Sequence, residues 1–393
     1  MAEYTLDLPL DTDYYGIFDS VPAADRTVWQ RARACVAEIL PEVNSAWDAG
    51  EYPLSWVRTL GAHGLLNDGV AGPGLTTISP LAAGLATMEL SRGDGSLGTI
   101  AGVQAGLALR SIALFGSPEQ QAEWLVPLAR GEKLGAFALT EPAHGSDSVS
   151  LETAAVRDGD EWVINGSKKW IGNGSVGDIT ITWARDEEGN VRGFLVPQDT
   201  PGYTAETIRG KISLRAIHQA LITYTNVRVP ASAILPGARS FKDTARILFA
   251  TRLGVAWGAL GHATAMYEAA LSYATQRTQF GKPLAAFQMV QERLTEMLAE
   301  LTSMQLHCLA LTTREAAGTI TPAQASLAKY NNTRKARLIG QIARDMLGGN
   351  GILLENNVAR HFADVEALHT YEGTESMQAL LVGRDVTGVG AFA

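Results

Sequence analysis

From about residue 22 to residue 130, apolar positions recur at helical spacing between Gly and Pro punctuation, which predicts a run of helices. One start is explicit: in Ser117-Pro118-Glu119-Gln120 the hydroxyl caps the helix, Pro118 fits its first position and Gln120 closes a capping box. Near residue 136 the pattern shortens. Trp162-Val163-Ile164-Asn165, Ile179 to Ala184, Phe194-Leu195-Val196-Pro197 and Leu221-Ile222-Thr223-Tyr224 are β-branched or aromatic runs between Gly, Asn and Asp turns, so they read as strands. Asn165-Gly166-Ser167 reads as a hairpin turn leading into a strand that carries Trp170. Long helical periods then return. Ala263, Met266, Tyr267, Ala270, Leu271 and Ala274 form one stripe; Val290, Leu294, Met297, Leu298, Leu301 and Met304 form another. Gly318 stops a helix, and Thr321-Pro322-Ala323-Gln324 starts the next. The expected fold is mixed and mainly α: an N-terminal helical domain (1–135), a middle β-barrel domain (136–237) and a C-terminal four-helix bundle (238–393).

A chain of 393 residues has room for two or three domains and a cofactor crevice. Its formal net charge of -9 provides no field for nucleic acid, so an anionic ligand must meet local arginines and backbone N–H groups. Cys35 and Cys308 both fall in helical patterns, which argues for reduced thiols and a cytoplasmic type of compartment. The acidic start is not expected to be a signal peptide, the final Gly-Ala-Phe-Ala is no peroxisomal address, and no stretch is expected to reach membrane-span length.

Candidate chemistry is ambiguous segment by segment. Gly93-Asp94-Gly95-Ser96-Leu97-Gly98 matches GxGxxG, but the helical run Leu81 to Leu90 precedes it where a dinucleotide fold needs a strand, so a helix-to-helix corner is expected. The seven histidines form no metal-ligand spacing, and there is no Gly-x-Ser-x-Gly elbow. Phe137 to Asp147 enters a turn rich in hydroxyl, acidic and Gly residues, either a set of donors for a polar ring edge or phosphate or a plain helix-to-strand link. Trp170 offers a flat face for an aromatic cofactor or for core packing. Arg277 to Pro283 ends a helix and Gln288 begins another; the pair holds a phosphate or adenine, or merely caps the corner. Met346 to Gly351 exposes bare backbone, and Glu372 precedes Gly373 in a loop.

In this order and over nearly the whole chain, the motifs resemble the acyl-CoA dehydrogenase family. The residues that carry the likeness are Leu139-Thr140-Glu141-Pro142 with Gly145-Ser146-Asp147, then Lys169-Trp170-Ile171, Arg277 with Gln279-Phe280-Gly281, Leu347-Gly348-Gly349 and Tyr371-Glu372-Gly373-Thr374. Within the family, Asp345 to Gly351 and Gly383 to Gly388 are similar to the branch of glutaryl-CoA dehydrogenase and the plant short-chain acyl-CoA oxidase. The resemblance implies FAD and an acyl-CoA substrate, a homotetramer and electron-transferring flavoprotein as acceptor, without nucleic acid or membrane. Glu372 would remove the α-proton. Phe137, Leu139, Thr140, Gly145 and Ser146, with Trp170, Ile171 and Gly172, would line the flavin and its ribityl chain. Arg277, Gln279, Phe280 and Gln288, joined by Asp345, Leu347, Gly348 and Gly349 from a neighbouring subunit, would hold the pyrophosphate and adenosine. Thr374 and Phe392 would add flavin contacts, and the acyl-CoA would meet Gly98, Thr99, Ser146, Arg252 and the backbone of Gly373.

Two positions depart from the relatives. Glutaryl-CoA dehydrogenases place an Arg-Ser pair where this chain has Gly98-Thr99, which implies a neutral acyl chain, because a buried carboxylate without a cationic partner is costly. Gly172 stands where many dehydrogenases have threonine, a loss expected to open space for dioxygen and to make an oxidase the nearest rival. A flavin monooxygenase or a non-catalytic member of the same fold is the remaining alternative.

Overall fold

The computed structural model describes residues 12–391. Helix α1 (Ala23–Ala49) buries Val28, Ala32, Cys35, Val36, Ile39, Val43 and Ala46 along one stripe and ends in left-handed Gly50. After α2 (Ser55–Ala62), helix α3 (Pro80–Gly93) starts with the Ser79 hydroxyl accepting from the N–H of Ala82. The GxGxxG segment is a helix-to-helix corner, as its helical approach predicts. Asp94 ends α3 and caps α4 (Gly95–Ala101), its carboxylate accepting from the N–H of Ser96 at 2.7 Å.

From α4 the helix runs on without a break through a π segment (Gly102–Leu109) into α5 (Arg110–Phe115). This corrects the expectation on membrane spans. Gly95–Phe115 is 21 residues with mean hydropathy 1.4, long and apolar enough to cross a membrane. Its Leu97, Ile100, Ala105, Ala108, Leu109 and Ile112 are packed inside protein, which is why a core helix passes the same test. Helix α6 (Pro118–Ala129) has the predicted capping box, with both Ser117 and Gln120 engaged.

The middle part is a seven-stranded curled sheet of β1 (Gly135–Ala138), β2 (Ala154–Asp158), β3 (Glu161–Gly172), β4 (Ile179–Arg185), β5 (Val191–Pro197), β6 (Tyr203–Thr207) and β7 (Gln219–Pro230). The order is β1-β4-β2-β3-β7-β6, with β5 on β4. Asn165-Gly166-Ser167 is no hairpin turn. It lies inside the 12-residue β3, where a register shift against β7 absorbs Gly166 at φ 145, and the hairpin turns earlier, between β2 and β3.

Helix α7 (Phe241–Gln276) then runs 36 residues. A two-strand hairpin, β8 (Thr278–Gln279) and β9 (Lys282–Pro283), leads to α8 (Gln288–Ala316), followed by α9 (Pro322–Met346), α10 (Val358–Thr370) and α11 (Glu375–Thr387). These helices share one core with α3, including Leu85, Met88, Leu260, Met297, Leu301, Ile339 and Val365. The crossing of α3 and α7 is close because Gly84 lies against Trp257 and Gly261 against the Met88 carbonyl, where any Cβ would collide. The helical ends of the chain are thereby locked together around the sheet.

Candidate active site

Helix α10 stops at Thr370, and the chain turns through Glu372 (φ 55) and Gly373 (φ 85) before Thr374 caps α11. A left-handed non-glycine residue costs about 1–2 kcal/mol, so something must hold it. Lys329 of α9, 1% exposed, donates through Nζ to the carbonyls of Tyr371 and Gly373. Gln378 donates to the carbonyls of Glu372 (3.0 Å) and Gly373 (2.9 Å). The Glu372 carboxylate accepts from the Thr251 hydroxyl of α7 at 3.1 Å. Burial raises its pKa above the ordinary carboxylate value; Lys329, the Thr251 hydrogen bond and Arg252 oppose that rise. Burial likewise pushes Lys329 down to about 7 and lowers Arg252, whose Nη1 donates to Ser326 Oγ at 3.0 Å. Among the described residues the N–H of Gly373 makes no hydrogen bond, so a donor stands free beside the carboxylate.

The π segment carries this turn to the sheet. A Cβ on Gly106 would lie 3.2 Å from Thr251 Cγ2, and a Cβ on Gly172 would lie 2.9 Å from Val103 Cγ2. Gly172 at the end of β3 and Glu372 therefore flank the same two helical turns, the kind of irregular segment that recurs at functional sites. Val103 fills the volume beside Gly172, so the loss of a side chain there opens no void.

Beside Gly172, a second register shift in β3, between Lys168 and Ile171, holds Trp170 at φ 67 and turns its indole outward, 54% exposed. Ile171 is buried in the core of Ala136 and Ala138, whereas Phe137 and Leu139 are buried in a separate core with Trp183 and Leu195, so the three residues do not share one wall. The Thr140 and Ser146 hydroxyls make no hydrogen bond among the described residues, and Gly145 has open space around it. A flat apolar wall edged by unengaged donors fits a planar heteroaromatic ligand. The loop is fixed from beneath by Glu141, which accepts from the N–H groups of Glu152 and Thr153, the Thr153 hydroxyl and Lys168 Nζ (2.9 Å). Despite the burial that opposes it, Lys168 and these hydrogen bonds hold the Glu141 carboxyl down at about 2. Lys168 also donates to the Leu139 carbonyl at 3.0 Å.

Two small hollows lie along α3, one closed by Ala101 and Gly102 and the other by Gly254 and Trp257 of α7; Ala83 and Asp68 border both, and Asp68 pairs with Arg110 at 2.8 Å. Of the two residues sequence-predicted to touch the acyl group here, Gly98 faces Ser91 of α3, where a Cβ would collide with Oγ. The Thr99 hydroxyl donates to the Gly95 carbonyl at 2.8 Å and meets the Tyr371 hydroxyl.

The other sequence-predicted residues lie elsewhere. Arg277, Gln279, Phe280 and Gln288 are exposed at the far end of α7, and Asp345, Gly348 and Gly349 are exposed at the end of α9, with Leu347 buried behind them. Tyr273 joins the two sets: its carbonyl accepts from the N–H of Arg277, and its hydroxyl accepts from Asn350 Nδ2 at 2.9 Å. From Thr251 to Arg277 the helix rises about 39 Å at 1.5 Å per residue, so one protomer holds these groups far from Glu372. Thr374 spends its hydroxyl on the N–H of Met377 (3.3 Å), and Phe392 lies outside the described residues.

Sequence reading missed Thr251, Lys329, Gln378, Glu141 as an anchor and Val103. It also missed a buried pair, His262 Nδ1 and His361 Nδ1 at 2.9 Å, beside Asp364, whose carboxyl burial and Asp94 push up to about 8. A polar residue in an apolar stripe, such as Lys329 or His262, is the one signal that marks such positions in advance.

The descriptions "Acyl-CoA dehydrogenase, N-terminal domain", "middle domain" and "C-terminal domain" match residues 23–132, 136–227 and 241–387. The mitochondrial short-chain specific acyl-CoA dehydrogenase of Bos taurus is 34% identical over 355 residues, 88% of this chain and 85% of that protein. A crystal structure of glutaryl-CoA dehydrogenase from Mycobacterium smegmatis is 43% identical, with TM-score 0.95 over 97% of this chain and 99% of its own. A second glutaryl-CoA dehydrogenase from that organism, in complex with FADH2, is 38% identical, with TM-score 0.93 over 96% of this chain and 98% of its own. The three matching domains in order, and relatives aligned along almost the full length, place the chain in the acyl-CoA dehydrogenase family of oxidoreductases.

Proposed function

We propose that the protein binds FAD against Trp170 and Gly172 and dehydrogenates a neutral acyl-CoA at Cα–Cβ, with Glu372 as the α-proton base. The observation that carries this reading is the π segment, which packs Val103 on Gly172 and Gly106 on Thr251, the residue bonded to Glu372. The thioester lies between wall and carboxylate. The free N–H of Gly373 donates to the thioester carbonyl and stabilises the charge that develops there as Glu372 withdraws the proton. Bound FAD supplies the acceptor for the β-hydrogen, which leaves as hydride. Thr140, Ser146 and the Trp170 face orient the cofactor, and the acyl tail runs towards the hollows that border Ala83 of α3.

Gly98 itself carries no cation to meet a distal carboxylate, and among the described residues a Cβ there would meet Ser91. Electrons pass onward to electron-transferring flavoprotein in preference to dioxygen, because Val103 fills the volume beside Gly172. The Arg277 and Asp345 sets, remote from their own Glu372, serve the adenosine end of FAD in another copy of a homotetramer.

Anaerobic titration with a panel of acyl-CoAs, read by flavin absorbance, tests the reading. Glu372→Gln is expected to keep FAD and bind acyl-CoA yet bleach roughly 100-fold more slowly or worse; wild-type bleaching in it refutes the base. In the wild type the rate rises with pH through a midpoint above the ordinary carboxylate value, since burial favours the protonated form that is no base. Butyryl-CoA is expected to outrun glutaryl-CoA, and the reverse order overturns the neutral-substrate assignment.

A further inference from the structure

We propose that Lys329 is the positioning residue of the base: its ammonium ties the carbonyls on both sides of Glu372 and fixes the carboxylate's direction. This rests on Glu372 being the base. Among the described residues Lys329 Nζ makes no ion pair within 4 Å; its hydrogen-bond partners are the Tyr371 and Gly373 carbonyls. A lysine 1% exposed and without a carboxylate contact is a costly way to hold two carbonyls. Gln378 shows that an uncharged donor does such work in this same turn, since its amide already holds the carbonyls of Glu372 and Gly373. What the lysine adds is charge, placed where the base must stay ionised inside an apolar crevice.

The geometry couples both effects. The residues it grips are the immediate neighbours of Glu372, so a change at Nζ rotates the left-handed peptide that carries the carboxylate. Its positive charge, with that of Arg252 from α7, counters the burial that would otherwise keep Glu372 protonated. The other titratable groups acting on the lysine are Arg252, Glu372 itself from the turn after α10, and His369 at the end of α10, the last paired with Glu375 at 3.0 Å.

Solvent-deuterium exchange at the acyl-CoA α-carbon, followed by mass spectrometry, reports the base separately from hydride transfer. Lys329→Met is expected to slow exchange at least 10-fold and to move the acid limb of its pH profile to higher pH. Affinity for acyl-CoA, read from the perturbed flavin spectrum, should stay within about 3-fold. Lys329→Arg keeps the charge but not the compact two-carbonyl grip, so its midpoint should stay near wild type while its rate falls several-fold. Wild-type exchange and midpoint in Lys329→Met overturn the proposal. Should that variant fail to fold, a wild-type rate in Lys329→Arg overturns it equally. Glu372→Gln run alongside separates the two ideas: exchange surviving in it sinks the base itself, whereas exchange lost there but intact in Lys329→Met sinks the lysine alone.

Discussion

The Glu141 carboxylate makes four protein hydrogen bonds and is nearly closed to water, 6% exposed. Its pKa in the folded chain, about 2, lies below the ordinary value, so it stabilises the fold above that ordinary value and loses this contribution as pH falls towards 2. Glu141→Ala leaves Lys168 charged and buried without its partner, for which a loss of about 3–5 kcal/mol is expected in denaturant unfolding. Stability within 1 kcal/mol of wild type would show that the pair does not hold the loop. At this scale the sequence is eloquent about type and mute about partners. Tyr371-Glu372-Gly373-Thr374 is recognisable as a string. Thr251, 121 residues away, and Lys329, which reaches across from another helix, take their meaning from which turns the fold brings together. Glu141 sits inside a recognised motif, yet its role as an anchor depends on Lys168, which β3 supplies, and on Thr153, which lies just before β2.

Among the elements, the π segment decides most of the local chemistry. It aims Val103 at Gly172 while Gly106 lets Thr251 approach, two contacts that regular helical spacing need not give. Val103→Ala is expected to open the volume beside Gly172 and to raise oxygen uptake by the reduced enzyme several-fold without changing acyl-CoA affinity. Unchanged oxygen uptake would remove Val103 as the barrier. Capping boxes at Ser117 and Thr321 and the Gly93 corner were legible because their signals are local: an acceptor, a donor three residues on, an interruption. Gly166 was misread because Asn-Gly favours tight turns as readily as it fits a bulge, and the partner strand β7 chooses between them. Gly95–Phe115 was misjudged for the opposite reason. Apolarity states that a helix is hidden, and only packing states whether protein or lipid hides it.

On the scale of the whole molecule, α → β → α was readable from changes of period, and the close crossing of α3 and α7 that joins the helical parts was not. It depends on Gly84 and Gly261 meeting Trp257 and Met88, a fit without sequence signature. The same long α7 that forms one side of this crossing presents Thr251 near one end and Arg277 at the other, about 39 Å apart. A deficit at either end should therefore be curable by a second polypeptide. Co-assembling Glu372→Gln chains with Arg277→Ala chains is expected to regenerate some competent centres from two inactive parents, detectable as turnover absent from each alone. Failure to complement would mean that every chain equips its own centre. If complementation succeeds, dissociating the protomers by dilution releases the nucleotide while each polypeptide stays folded, and colour is lost ahead of helicity.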